Sequence, residues 1–144
     1  MKSRGSEMAE DKFDLLGPAY AEIGQELAEI VGGDPDGVYL YAEAGEGWYG
    51  YGIFKDEGNI VRYYDPSPEL GDLIYEAWLI EEPAKRWAIM EYEVNGTKFD
   101  AKFKFPDEVQ VKSYADDDRR ENALKKRYGD KPIFYPPWPG QPTE

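Results

Sequence analysis

The sequence predicts a single α+β domain in which an antiparallel sheet of about five strands packs against helices. Apolar residues at helical spacing occupy different segments from runs of alternating β-branched and aromatic residues, which are typical of strands. Short turns rich in Gly, Asn and Asp join neighbouring strand-like runs, as in antiparallel hairpins. The chain of 144 residues is long enough for one domain with a buried core. The expected order is α-β-β-β-α-β-β-α, a three-strand meander plus a hairpin among helices.

The first helix is predicted from an apolar stripe whose members recur at steps of three and four residues. These members are Phe13, Leu16, Tyr20, Ile23, Leu27 and Ile30. Proline is favoured at the first helical position, so we expect the regular helix to begin at Pro18. Residues 11–16 are then a turn or a loose helical segment, and Gly32 and Gly33 end the helix.

Three strands joined by short loops follow, at Val38–Ala44, Trp48–Phe54 and Ile60–Tyr64. The first loop opens the segment Gly45–Gly50, which has the G-x-G-x-x-G spacing of a dinucleotide-binding turn. That turn requires a following helix, whereas the next residues are aromatic and β-branched, and Glu46 would repel a pyrophosphate. We therefore interpret residues 45–47 as a hairpin turn and expect no cofactor.

The second helix has distinct start and stop signals. Ser67 is the expected N-cap and Pro68 the first helical residue. Pro83 ends or kinks the helix. The buried stripe is expected to comprise Leu70, Leu73, Ile74, Ala77 and Trp78.

Two alternating runs around the dipeptide Asn-Gly at 95–96 predict a β-hairpin with a type I′ turn. In the register set by that turn, Tyr92 lies opposite Phe99. On the other face of the hairpin, Glu93 lies opposite Lys98. The apolar face of the sheet, expected to pack on helices around Ile23 and Ile74, includes Leu40, Tyr92, Phe99 and Phe103.

A third helix is predicted over Tyr114–Asp130, because acidic residues open this segment and basic residues close it, as the helix dipole favours. Gly129 is its expected C-terminal stop. The chain then finishes in a Pro-rich segment. We expect a flexible N-terminal tail at residues 1–12, a single α+β domain at 13–137 and a Pro-rich C-terminal tail at 138–144.

The composition excludes several classes of site. The chain has no cysteine and no histidine, which removes Cys/His nucleophile pairs, Ser-His-Asp triads and most zinc or copper sites. We expect no catalytic residue, no cofactor and no metal. The sequence has neither the apolar core of a signal peptide nor an apolar run long enough to cross a membrane. A cytoplasmic protein that does not bind a membrane is therefore expected.

The net charge of −13 opposes binding to a nucleic acid backbone. This charge is unevenly distributed along the chain. Residues 1–97 carry 7 basic and 21 acidic side chains, whereas residues 98–144 carry 10 basic and 9 acidic ones. A field of this sign speeds encounter with a basic partner, although acidic residues also simply favour solubility.

The order of elements and three sequence segments resemble the YezG-like family of bacterial immunity proteins. The segments are the strands "VYLYAEAGEGWYGYGIF", the hairpin ending "KFDAKFKF" and the closing "RRENALKKRYGDKPIFYPP". The resemblance covers about Phe13 to Pro137 and includes no catalytic signature. It implies a protein that binds and neutralises a polymorphic toxin, usually a nuclease-type effector, and it carries no fixed set of contact residues.

A toxin-binding surface is predicted on the meander, where tyrosines and acids are concentrated. Tyr39, Tyr41 and Glu43 share one side of their strand. Tyr49 and Tyr51 share one side of the next, which indicates an aromatic and acidic face unless a helix covers it. The predicted partner-binding residues are Glu43, Glu46, Trp48, Tyr49, Tyr51, Asp56 and Glu57.

Two other classes of function stay open. Glu43 with Glu91 or Asp100 is a candidate carboxylate pair for acid–base catalysis, as in glycoside hydrolysis. A non-catalytic adaptor would instead recognise a peptide or protein at a sheet edge. A close buried carboxylate pair in a deep pocket would favour the enzyme, whereas a broad acidic and aromatic surface would favour the inhibitor.

Overall fold

A computed structural model describes the backbone of residues 4–65, 67–108 and 117–136, and the side chains of residues 17–65, 67–108 and 119–136. These residues form three helices, α1 (Arg4–Ile30), α2 (Pro68–Ile80) and α3 (Asp117–Tyr128). The strands are β1 (Val38–Gly45), β2 (Trp48–Asp56), β3 (Val61–Tyr64), β4 (Ile89–Asn95), β5 (Lys98–Lys104) and β6 (Ile133–Phe134). The predicted α+β class and order of elements are confirmed. The predicted start of the third helix at 114–116 and the tail at 138–144 lie outside the described residues.

The six strands form one sheet in the order β5-β4-β1-β2-β3-β6. Neighbouring strands are antiparallel except β3 and β6, which are parallel. Strand β6 is additional to the five predicted strands: Ile133 pairs with Val61, and the guanidinium of Arg62 lies 4.9 Å from the ring centroid of Phe134. The chain after α3 therefore returns to the sheet edge beside β3.

Helices cover both faces of the sheet. On one face, α1 and α2 bury a core that includes Ile23, Leu40, Ile74 and Tyr92, as predicted. On the other face, Leu124 of α3 belongs to a second cluster with the buried Tyr39 and Tyr41. Because β1 is central and buried on both faces, its sequence is almost continuously apolar rather than alternating.

Helix α1 runs through Pro18 rather than beginning there, which corrects the predicted start. Proline lacks an N–H, so the carbonyl of Asp14 receives no helical hydrogen bond from residue 18. The helix also takes in residues 4–12, which were predicted to form a tail. Extending a helix that is already packed on a sheet costs less than nucleating a new one, and the buried Ile23 and Leu27 provide that packing.

The turn of the β4–β5 hairpin differs from the prediction by one residue. Asn95 pairs with Lys98, so the two loop residues are Gly96 and Thr97. Gly96 has a φ of +65°, and every described residue with positive φ is a glycine. A positive φ at the first loop position alone is the pattern of a type II′ turn, not of the predicted type I′ turn.

The displaced turn moves every strand partner by two residues. Tyr92 pairs with Ala101 instead of Phe99, and Glu93 pairs with Asp100. Side chains alternate with a period of two, so this shift preserves the predicted faces. Phe99, which was predicted to lie in the core, is 43% exposed, although its ring stacks on Tyr92 with centroids 5.0 Å apart.

Helix α2 begins and ends as its sequence signals predict. The Ser67 hydroxyl oxygen accepts a hydrogen bond from the backbone N–H of Leu70 at 3.1 Å, and Pro68 is the first helical residue. The helix ends at Ile80, before Pro83 begins a single 3-10 turn. Local capping chemistry was therefore sufficient to place this element.

Candidate protein-interaction surface

The sheet separates residues that were predicted to share one face. In the β1–β2 pairing, Tyr49 lies opposite Ala44 and Tyr51 opposite Ala42, which places both tyrosines on the α1/α2 side. Glu43 lies on the α3 side. The predicted single face that combines Glu43 with the two β2 tyrosines is therefore wrong, because residues paired directly across an antiparallel ladder share a face and Glu43 pairs with Gly50.

Glu43 is buried beneath α3 and is 8% exposed. Its Oε2 accepts a hydrogen bond from the Tyr41 hydroxyl at 2.8 Å, and its Oε1 lies 2.5 Å from a guanidinium nitrogen of Arg119. Burial, with the hydrogen bond to Glu43 as the next cause, raises the pKa of Tyr41 and keeps this hydroxyl a donor. These contacts hold α3 on β1 and leave little of the carboxylate accessible to a partner.

Four aromatic side chains form a continuous row between β2 and α2, called here the aromatic row. In order they are Tyr51, Tyr49, Tyr75 and Trp78, and consecutive ring centroids lie 6.0, 5.7 and 5.5 Å apart. Tyr49 is 40% exposed. The Tyr51 hydroxyl donates to the carbonyl of Ser67 at 2.5 Å, and burial raises the pKa of Tyr51 to about 12. The aromatic row therefore presents the partly exposed ring of Tyr49, and the hydrogen bond of Tyr51 holds the row in place.

Gly71 allows the aromatic row to approach α2. A Cβ atom added at this position would lie 2.7 Å from the Tyr49 ring. Glycine inside a helix costs about 1 kcal/mol relative to alanine, so its place in α2 has a packing reason. The sequence contains no signal that would have paired these two residues, which are distant in the chain.

The β1–β2 turn places Glu46 beside the aromatic row. The backbone N–H of Gly47 donates to the Tyr75 hydroxyl at 2.8 Å, which ties the turn to α2. The indole of the half-buried Trp48 lies over Gly45, where a Cβ atom would overlap it. Glu46 is exposed. Glu46 therefore lies beside Tyr49 and Tyr51, whereas Trp48 pairs with Gly45 and, like Glu43, faces the α3 side of the sheet.

The other two predicted acids lie at the far end of β2. Eight residue steps separate Asp56 from Trp48, or roughly 26 Å of strand. Asp56 accepts a hydrogen bond from Lys131 at 2.9 Å, and this bond holds the pKa of Asp56 below its usual range. Glu57 forms an ion pair with Arg62 at 3.0 Å. Both acids are exposed, but they already have cationic partners.

The outer surface of α1 and α2 is acidic. Residues 17–31 and 67–80, called here the acidic layer, carry six acidic side chains and no lysine or arginine, and beyond the end of α2 the guanidinium of Arg86 lies 4.6 Å from the ring centroid of Trp78. The acids are Glu22, Glu26, Glu29, Glu69, Asp72 and Glu76. Along α2, Asp72 and Glu76 lie one turn apart, and the exposed Leu79 and Ile80 follow one turn later. Acidic and apolar side chains therefore share the solvent side of α2.

Helix α3 has the opposite charge balance, with five basic and three acidic residues in positions 117–128. The sheet lies between α3 and the acidic layer. The uneven charge along the sequence therefore becomes a separation of charge across the sheet.

The carboxylates considered for catalysis have different surroundings. Glu43 forms an ion pair with Arg119, whereas Asp100 is exposed and pairs with Glu93 across the β4–β5 ladder. Glu91 lines an open groove beside α3. In the described part of the chain, no three acidic residues are grouped in a way that could hold a metal ion. The contacts of Glu43 are those of a structural ion pair.

Three α2 residues of this surface were not predicted from the sequence: Asp72, Tyr75 and Glu76. The sequence indicated only that these three residues lie on the polar side of α2, opposite the apolar stripe that includes Leu70 and Ile74. That pattern shows which side of a helix faces solvent, but it does not show what lies next to it. The contact between Tyr75 and the β1–β2 turn supplies that information.

No helix among the described residues combines the length and the apolar character needed to cross a membrane. Comparison of the chain with protein-family models found no match, and comparison with curated proteins found none either.

Proposed function

We propose that this protein is a cytoplasmic immunity protein that binds and neutralises a basic, nuclease-type bacterial toxin, the role that its resemblance to the YezG-like family implies. The observation that carries the proposal is the acidic layer, with six acids and no basic residue, beside the partly exposed aromatic row. A nuclease must be basic to hold its substrate, so the acidic layer complements it in charge.

The proposed contact surface combines aromatic anchors with surrounding acids. The anchors are Tyr49, Tyr51 and Tyr75, and the acids are Glu46, Asp72 and Glu76, whereas Trp48 faces the other side of the sheet. Tyrosine and tryptophan dominate binding energy at many interfaces because they bury large areas at low conformational cost. Stacking and hydrogen bonds already hold these rings, so binding requires little further ordering. Asp56 and Glu57, which are paired with Lys131 and Arg62 at the far end of β2, lie outside this surface.

Neutralisation through this surface requires no chemical step. A bound inhibitor covers the active site of the toxin, or a neighbouring surface, and excludes its substrate. Glu91→Gln and Asp100→Asn are therefore expected to leave protection against the toxin unchanged, since no proton transfer depends on either carboxylate. A hydrolytic activity that is lost in one of these variants would instead support a carboxylate enzyme.

The test is co-expression with the product of the adjacent reading frame, as the candidate toxin. The wild-type protein is expected to restore growth and to co-purify with that product. The double variant Tyr49→Ala, Asp72→Lys is expected to lose both effects, whereas Tyr135→Ala, Asp107→Lys, which changes an exposed tyrosine and an exposed acid elsewhere, should retain them. Each variant is first shown to be folded by its melting temperature.

The two parts of the proposal fail separately. If the wild-type protein neither binds nor protects, the immunity function is contradicted. If it protects and the Tyr49→Ala, Asp72→Lys variant protects equally well, the function stands and the aromatic row is not the contact surface.

A further inference from the structure

An open groove lies beside α3, on the face of the sheet opposite the acidic layer. It encloses about 840 Å³. Its floor includes the buried Tyr39, Tyr41 and Ile89 of β1 and β4, and residues of β5 and α3 form its two sides. This groove is separate from the surface proposed to bind a toxin, because the sheet lies between them.

Most ionisable side chains that line the groove, apart from the two tyrosines, are basic. The cationic ones are Lys102, Lys104, Arg119, Lys126 and Arg127, and the anionic ones are Glu91 and Glu108. The two arginines are engaged with Glu43 and Glu93. The three lysines form no ion pair with any residue whose side chain is described. Glu91, which lies opposite Lys102 across the ladder, and Glu108 offset part of this charge, so the groove keeps a small excess of positive charge in a protein of net charge −13.

One side of the groove is also an edge of the sheet. Strand β5 pairs with β4, and no other described strand lies on its outer side. The side chains of Lys98, Asp100, Lys102 and Lys104 point to the groove face, and those of Phe99, Ala101 and Phe103 point to the α1/α2 face. Lysines on an edge strand discourage pairing with another basic strand but are compatible with an acidic one.

We propose that β5 and the groove bind an extended acidic segment of a partner protein, which adds to the sheet as a further strand. Alternate side chains of that segment would lie over the groove near Lys102 and Lys104, and the intervening ones would lie beside Phe99, which is 43% exposed. The segment therefore alternates acidic with apolar residues. The lysines stand on both sides of the groove rather than converging on one point, which suits a row of carboxylates better than a single phosphate.

The probe for this proposal is a fluorescent, acetylated peptide of about eight residues that alternates glutamate with valine. Binding to the full chain is measured by fluorescence anisotropy at low and at physiological salt. The double variant Lys102→Gln, Lys126→Gln is expected to weaken binding about tenfold or more. Lys85→Gln, Lys125→Gln is the control, because it removes the same charge from exposed positions outside both β5 and the groove, and it should change affinity less than about twofold.

Two further probes separate strand addition from simple charge attraction. The same peptide methylated on alternate backbone nitrogens keeps its charge but cannot pair with β5, and it is expected to lose most of its binding. A peptide with lysine in place of glutamate should not bind. Equal binding of the methylated peptide, equal weakening by the control variant, or tighter binding of single-stranded DNA than of the acidic peptide would each overturn the proposal. None of these outcomes depends on whether the opposite face binds a toxin.

Discussion

Gly24 and Gly71 each stand inside a helix at a point where a tyrosine meets the backbone. At Gly24, an added Cβ atom would lie 2.8 Å from the Tyr92 hydroxyl, which donates to the carbonyl of Tyr20 at 2.7 Å. At Gly71, the ring of Tyr49 comes equally close. Each glycine therefore destabilises its helix by about 1 kcal/mol relative to alanine, but it leaves room for a tyrosine from the sheet.

We expect Gly71→Ala to destabilise the protein, although this change normally stabilises a helix by about 1 kcal/mol. The added methyl group would displace the Tyr49 ring from Tyr75. In a Tyr49→Ala background the conflict is absent, so the same substitution should be stabilising. The melting temperatures of the wild-type protein, the two single variants and the double variant show whether Gly71→Ala stabilises or destabilises the protein in each background. A gain in both backgrounds would show that Tyr49 does not depend on glycine at this position.

Phe103 and Phe99 were both predicted to lie in the core, but their surroundings differ. The ring of Phe103 is half-buried, 5.9 Å from that of Tyr20 and 6.0 Å from that of Trp87. We expect Phe103→Ala to cost about 2–3 kcal/mol of unfolding free energy, below the usual range for a fully buried phenylalanine, and Phe99→Ala to cost less. Chemical denaturation measures both. Equal losses would contradict the observed assignment of these side chains.

At the scale of elements, α3 is held on the sheet by ion pairs as well as by apolar packing. Arg119 binds Glu43 on β1, and Arg127 binds Glu93 on β4 at 2.7 Å. Leu124 packs between these ends of the helix. α3 is mostly polar, so these contacts rather than a broad apolar stripe fix its position over β1 and β4.

We expect Arg119→Met to destabilise the protein by about 3 kcal/mol, because it leaves the carboxylate of Glu43 buried without its cationic partner. Lys85→Met is the control: it removes the cation from the solvent-exposed pair with Glu82 and should leave the melting temperature nearly unchanged. If both variants melt at the wild-type temperature, the Glu43 contact does not anchor α3.

At the scale of the whole molecule, the sheet separates an acidic layer from a basic helix. We expect association with a basic toxin to slow by about an order of magnitude as salt rises from low to physiological, while dissociation changes less. Stopped-flow kinetics with the co-expressed toxin candidate measures both rates. Association rates that do not depend on salt would show that the acidic layer does not steer the encounter.

Buried tyrosines make the stability of the whole fold sensitive to high pH. Burial raises the pKa of Tyr20 and of Tyr51 to about 12, and it also raises the pKa values of Tyr39, Tyr41 and Tyr92 above the ordinary value of 10.0. The native state holds these protons more tightly than the unfolded state. The stability linked to them is therefore complete below pH 10 and is lost as pH rises through the native pKa values.

Alkaline unfolding is thus expected to begin above pH 10, with tyrosinate absorbance rising together with the loss of near-ultraviolet circular dichroism. Ionisation of these tyrosines in a protein that keeps its circular dichroism would contradict the coupling of their burial to stability.

Local sequence patterns were enough to predict the class of fold, the order of its elements and most of the buried face. Capping by Ser67, the apolar spacing in α1 and the alternation in β4 and β5 each involve residues that are close together in the chain. Local patterns were therefore sufficient to predict these elements. The local dipeptide at 95–96 suggested the wrong turn type, and the register moved by two residues without exchanging the faces.

Which surfaces a partner can reach depends instead on how the helices pack on the sheet. Tyr41 and Glu43 are covered by α3, and Tyr49 is stacked on α2, although all three looked equivalent as strand residues. The separation of charge across the sheet and the lysines of the groove beside α3 likewise depend on which helix covers which face of the sheet. The packing of helices on faces joins residues far apart in the chain, such as Glu43 with Arg119, and no local sequence pattern specifies such pairs.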